Sequence, residues 1–97
     1  MSFDICSAIK NREVIQFYYE GGIRIVEPFC YGESTKGNLV LRGYQVDGYS
    51  SSGNPIGWKL FIVDNMHNIS LTGRKFSGLR PDYNPNDRGM VRIICNV

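Results

Sequence analysis

The chain has 97 residues, 42% hydrophobic and 21% charged, with a formal net charge of +2. That length holds one domain, residues 1–97, with no room for a second core, and the composition is globular rather than disordered. No apolar run approaches the roughly 18–20 residues that cross a bilayer. Met1-Ser2-Phe3-Asp4-Ile5 lacks the basic region of a secretory signal, so the expected location is cytoplasmic and off the membrane. The net charge is too small to declare a nucleic-acid binder. Its distribution is uneven: residues 74–97 carry five basic and two acidic residues, residues 1–73 six basic and seven acidic. The basic end reads either as an anion-facing patch or as a solvated surface.

Ile5, Ala8 and Ile9 recur at the i, i+3, i+4 spacing that lines one helical face, which predicts a short helix over 3–11 closed by a left-handed Asn11. One stripe on so short a helix requires a larger body to lie on. Val14 to Tyr19 is rich in β-branched and aromatic residues, Gly21-Gly22 supplies a two-residue link, and Ile23 to Tyr31 returns as the second strand of a hairpin. Pro28 has no backbone donor, so that strand must bend, bulge or lie at an edge from Glu27 onward. A polar turn at 32–37 precedes a third strand at 39–46. A serine-rich loop at 47–55 leads to a fourth at 57–63 and a fifth at 66–72. Residues 77–89 hold Pro81 and Pro85 among glycines and asparagines and form a long loop. Val91, Ile93, Cys95 and Val97 then alternate with Arg92 and Asn96, predicting a terminal strand over 90–97. One short N-terminal helix and about six strands are the pattern of an all-β barrel or sandwich.

Strand four is apolar on both faces: Trp58, Leu60 and Ile62 alternate with Lys59, Phe61 and Val63. One face fills the core. The other needs cover, from the N-terminal helix or from a second chain, because an open apolar strand is an aggregation hazard. Cys6, Cys30 and Cys95 are odd in number and widely spaced, and they read as buried free thiols in a reducing compartment. His67, the sole histidine, has Asp64 and Ser70 nearby in sequence, but Asp64-Asn65 reads as a turn rather than as the partner of a general base. No cluster has metal-ligand spacing and no glycine-rich loop opens a helix, so no metal, cofactor or catalysis is expected.

Four segments, in order, resemble the WYL-domain family. Ala8-Ile9 leads to a strand ending Phe17-Tyr18-Tyr19; Val26-Glu27-Pro28 follows; Leu39-Val40-Leu41 precedes Arg42-Gly43-Tyr44; and Phe61-Ile62-Val63-Asp64-Asn65-Met66 runs on to Ile69, Leu71, Arg74 and Phe76. The match covers about residues 5–76. It implies a small SH3- or Sm-like antiparallel barrel, which in the family is the sensor half of bacterial transcription regulators and responds to nucleic-acid-derived ligands. Leu39-Val40 stands where the family has Trp-Tyr, and Ile62 and Asn65 stand where it has arginines. These 97 residues hold no winged-helix domain of the kind that precedes the barrel, so a separate regulator protein is an expected partner.

The leading expectation is a ligand-binding or regulatory module for an anion derived from nucleic acid, with weak binding. Arg42 and Tyr44 share one face of strand three, and Arg74 and Lys75 leave strand five; these four are the candidate ligand residues. The alternative is an interaction module without a small ligand, homodimeric through Trp58, Leu60 and Ile62.

Overall fold

The computed structural model describes residues 3–50 and 53–97, so Met1-Ser2 and the centre of the serine loop lie outside the described residues. Helix α1, Ile5–Lys10, begins where the Asp4 carboxylate accepts the Ser7 amide at 3.0 Å, satisfying one of the free amides of the first turn. Asn11 stays right-handed, and Arg12, one position later, takes the positive φ of 55°. The amides of Asn11 and Arg12 still bond back to the carbonyls of Ser7 and Ile9, so the reversal comes after both.

Strand β1, Glu13–Tyr19, turns into β2, Gly22–Glu33. Tyr19 opposes Gly22, which makes Glu20-Gly21 the turn, with φ of 41° and 102°. Two consecutive positive φ values suit a tight hairpin. The link thus sits one residue earlier than the glycine pair suggests. Gly22 meets a different need: a Cβ there would collide with the Tyr49 side chain.

The twelve residues of β2 form the spine of the sheet. They pair with β1 over residues 22–26, with β6 (Arg92–Asn96) over residues 30–33, and with β3 (Leu39–Gly48) along the opposite edge. Pro28 opposes Gly43 and Cys30 opposes Arg42, leaving Phe29 as the extra residue of a bulge. The missing proline donor is accommodated there, as its chemistry requires. Strand β4, Gly57–Ile62, pairs with β3; a single 3-10 turn, Val63–Asn65, then delivers the chain to β5, His67–Lys75, which pairs with β1. The order is β4-β3-β2-β1-β5, antiparallel throughout, with β6 branching from β2.

Among the described residues no ladder joins β4 to β5, so hydrogen bonds do not close the sheet. It curls nonetheless. The Phe17 ring on β1 meets Phe61 on β4 edge-to-face at 4.9 Å, and the Tyr19 hydroxyl accepts the Ile62 amide at 3.1 Å. In a flat sheet those strands, three spacings apart, would be separated by about 14 Å. Ile15, Phe17, Val26, Leu41 and Phe61 fill the interior, and Ile5, Ala8 and Ile9 of α1 close it. The architecture is therefore mainly β, with six antiparallel strands and one short helix.

Two further expectations need correction. Helix α1 lies on β1, β2 and β6, not across the outer face of β4. And Cys6 is disulfide-bonded to Cys95, leaving only Cys30 as a free, buried thiol. The two cysteines are 89 positions apart in sequence yet 5.8 Å apart at Cα, because pairing of β6 with β2 brings the C-terminal strand to the helix. Spacing along the chain carried no trace of that meeting, and the free-thiol argument for a reducing compartment falls with it. Among the described residues no helix is long and apolar enough to cross a membrane.

Candidate functional site

The outer face of the sheet is covered by residues 76–91, a strap without regular structure. Its apolar contributions include Phe76 and Tyr83, and Met90, which packs with Cys30 and Val40. Phe76 and Tyr83 pack with Phe29, Val14, Tyr44 and Trp58 into a second hydrophobic layer, separate from the interior. Phe29, the bulged residue, lies at its centre, with ring centroids 5.1 Å from Trp58, 5.1 Å from Phe76 and 5.3 Å from Tyr83. Trp58 and Tyr83 lie nearly parallel, 20° apart at 5.9 Å, while Tyr44 meets Trp58 edge-on at 5.5 Å.

Polar ties fix the strap in register. Arg80 grips the Glu27 carboxylate with two bonds of 2.8 Å and lays its guanidinium 4.5 Å from the centre of the Tyr44 ring. The Trp58 indole N–H donates to the Pro81 carbonyl at 2.7 Å. Arg42 donates to both oxygens of Asp87, at 2.7 and 3.2 Å, and the Gly89 amide adds a third bond at 2.8 Å. The Arg42 hydrogen bonds hold the Asp87 carboxyl below its ordinary pKa, outweighing the opposing effect of burial. Burial, joined by the nearby Asp87 charge, pushes the Cys30 thiol up to about 11, and burial likewise raises the Tyr83 phenol.

Two hollows open beside the strap. The first, about 320 Å³, is an aromatic cleft walled by Trp58 and Tyr83, with Arg42 and Asp87 at one side and Asp82, Asn84 and Arg88 around it. Its charges balance: Arg42 and Asp87 neutralise one another, leaving Asp82 and Arg88, both exposed and without an ion pair among the described residues. The second, about 290 Å³, is a basic groove where Arg74, Lys75 and Arg80 meet Val14, Val46 and Glu27. Its one carboxylate is already held by Arg80. The Tyr44 ring touches both Trp58 and Arg80, so one side chain spans from cleft to groove. A larger hollow of about 560 Å³ between α1 and the 3-10 turn is lined by a single charged side chain, Asp4, which is occupied in capping the helix.

The structure divides the expected ligand residues. Arg42 and Tyr44 lie on the outer face with Trp58, while Arg74 and Lys75 belong to the basic groove. Arg42 is committed to Asp87 and does not present a free cation. Of the expected interface residues, Trp58 is covered by the chain's own strap, Ile62 packs on the cluster of Cys30, Val40 and Met90, and Leu60 remains 38% exposed. His67 is exposed on β5 opposite Tyr18, and among the described residues no three His, Cys, Asp or Glu side chains converge. Sequence reasoning missed Glu27, Arg80 and Asp87. The available signal was the concentration of charged and aromatic residues in a proline-punctuated loop, where binding residues often sit. Compared with protein-family models, curated proteins and solved structures, the chain matches none.

Proposed function

We propose that the protein is a non-catalytic, regulatory binding module of the WYL kind that takes a nucleic-acid-derived ligand on this outer face. A base enters the cleft against Trp58, and a phosphate lies in the groove at Arg74 and Lys75. The supporting observation is the adjacency of an aromatic cleft and a cationic groove, linked through the Tyr44–Arg80 stack. Such a pairing is what single-strand recognition combines: stacking of about 1–3 kcal/mol per base with a basic track for the backbone. Among the described residues only two cations in the groove are uncommitted, so binding is weak, with a dissociation constant on the order of 10⁻⁴–10⁻⁶ M.

Trp58 is the sole tryptophan, so its fluorescence reports the cleft directly. Titration with short single-stranded oligonucleotides at low ionic strength should quench it, with a salt slope of about −0.7 per phosphate contact. Arg74→Ala or Lys75→Ala should flatten that slope by about one contact, whereas Arg42→Ala should not. An indole signal indifferent to oligonucleotides and salt would sink the reading.

A further inference from the structure

The hydrogen-bonding groups left free around the cleft are specific enough to name a base. We infer that the cleft selects guanine, with Asp82 as the specificity-determining residue; this rests on the binding reading above and deepens it. Asp87 is consumed by Arg42 and the Gly89 amide, and the Trp58 indole N–H by Pro81. Asn84 has its carbonyl oxygen occupied by the Asn86 amide at 2.9 Å, so its NH₂ group is what it offers. Among the described residues, the cleft therefore presents one uncommitted carboxylate, Asp82, against two uncommitted donors, Asn84 Nδ2 and Arg88, beside the Trp58 indole that lines it.

A ligand that complements this set stacks as a flat ring, offers adjacent N–H donors to a carboxylate, and offers acceptors to an amide or guanidinium. Guanine does all three. Its N1–H and N2 amino group form a paired donor edge matching the two oxygens of a carboxylate, and O6 and N7 are acceptors suited to arginine. Adenine has a single donor group, its 6-amino, flanked by acceptors that a carboxylate repels. Cytosine and uracil have smaller stacking faces and no paired donor edge flanked by two acceptors. The Asp82 backbone takes a φ of 68°, a left-handed conformation that few residues other than glycine, Asn and Asp adopt readily. That favours Asp82→Asn as a test, because asparagine accepts the same backbone while replacing one acceptor oxygen with a donor.

The experiment follows Trp58 fluorescence with GMP, IMP and AMP, and with short oligo-dG and oligo-dA single strands, on the wild-type chain and on Asp82→Asn of matched melting temperature. GMP should bind at least about tenfold more tightly than AMP, as expected for one bidentate base contact. IMP, which lacks the 2-amino donor, should fall between them. Asp82→Asn should bring GMP and AMP within about threefold of each other. Preference for oligo-dG without a response to GMP identifies guanine within a strand as the source, and preference for GMP alone identifies the free nucleotide; either supports the inference. Binding of all nucleotides with equal affinity, or a guanine preference unchanged in Asp82→Asn, overturns it while leaving the binding reading intact. Absence of any response overturns both.

Discussion

The inside and the outside of this sheet are held by different physics. The interior is a closed apolar cluster in which Ile15, Phe17, Val26 and Leu41 have no appreciable exposure, and on β1 the two-residue strand period puts Ile15 and Phe17 on that same face. The outer layer is built on one bulged residue, Phe29, and on a strap with no regular structure, fixed by two bidentate arginine–carboxylate pairs and one indole hydrogen bond. Burial is non-directional, whereas forked charge pairs also impose geometry. The interior is thus suited to stability, and the outer layer to holding a cleft wall in one position.

The contrast is tested hardest at the interior. Phe17→Ala removes a ring that touches both Tyr19 and Phe61 and should cost about 3–5 kcal/mol, with the whole chain melting as one unit in calorimetry. Breaking the disulfide comes next. Cys6→Ser releases a closure spanning 89 positions and should cost about 2–5 kcal/mol, read from the shift in a denaturant midpoint; a chain of unchanged stability would show that the β6 pairing alone holds the C-terminus.

The Arg42–Asp87 pair sharpens the comparison on the outer side. Asp87→Asn should cost about 1.5–3 kcal/mol, the value of hydrogen bonds to a charged partner. It also carries a pH signature. The folded carboxyl titrates below its unfolded value of about 3.9. Its contribution is therefore complete above that pH and is lost as pH falls through the depressed folded value. Wild-type stability should decline more steeply below about pH 4 than that of Asp87→Asn, and parallel declines would remove the pair from the account. The smallest effect concerns Cys30. With its pKa near 11 and no exposure, it should resist thiol-labelling reagents at pH 8 in the native protein and react only on unfolding; mass spectrometry after timed labelling decides this.

The difference between the layers also explains what could be read in advance. Apolar alternation located β1 to β6 within a few residues, and Pro28 announced a bend, a bulge or an edge, of which the structure shows the bulge, because those signals are local. The strap's partners are not local: Asp87 meets Arg42 from 45 positions away and Arg80 meets Glu27 from 53. Nothing in a proline-rich loop says which strand it will lie on. Trp58 was legible as an apolar side chain in need of cover, yet the cover seen here is the chain's own strap, which the sequence did not assign to it. Arg42 and Tyr44 were correctly placed on one face, but the strap that engages both was read only as a loop. The Cys6–Cys95 bond escaped for the same reason, since pairing follows from topology and not from spacing.

The central claim is that the strap, pinned by its charge pairs, covers Trp58 and forms the cleft wall independently of the interior. The most direct measurement is acrylamide quenching of Trp58 in a Glu27→Gln, Asp87→Asn double variant, with far-ultraviolet circular dichroism recorded on the same sample. Loosening of the strap should raise the quenching constant and shift the emission to the red while the β signal stays at its wild-type value. Unchanged quenching, or exposure of Trp58 only together with loss of the β signal, would contradict the account.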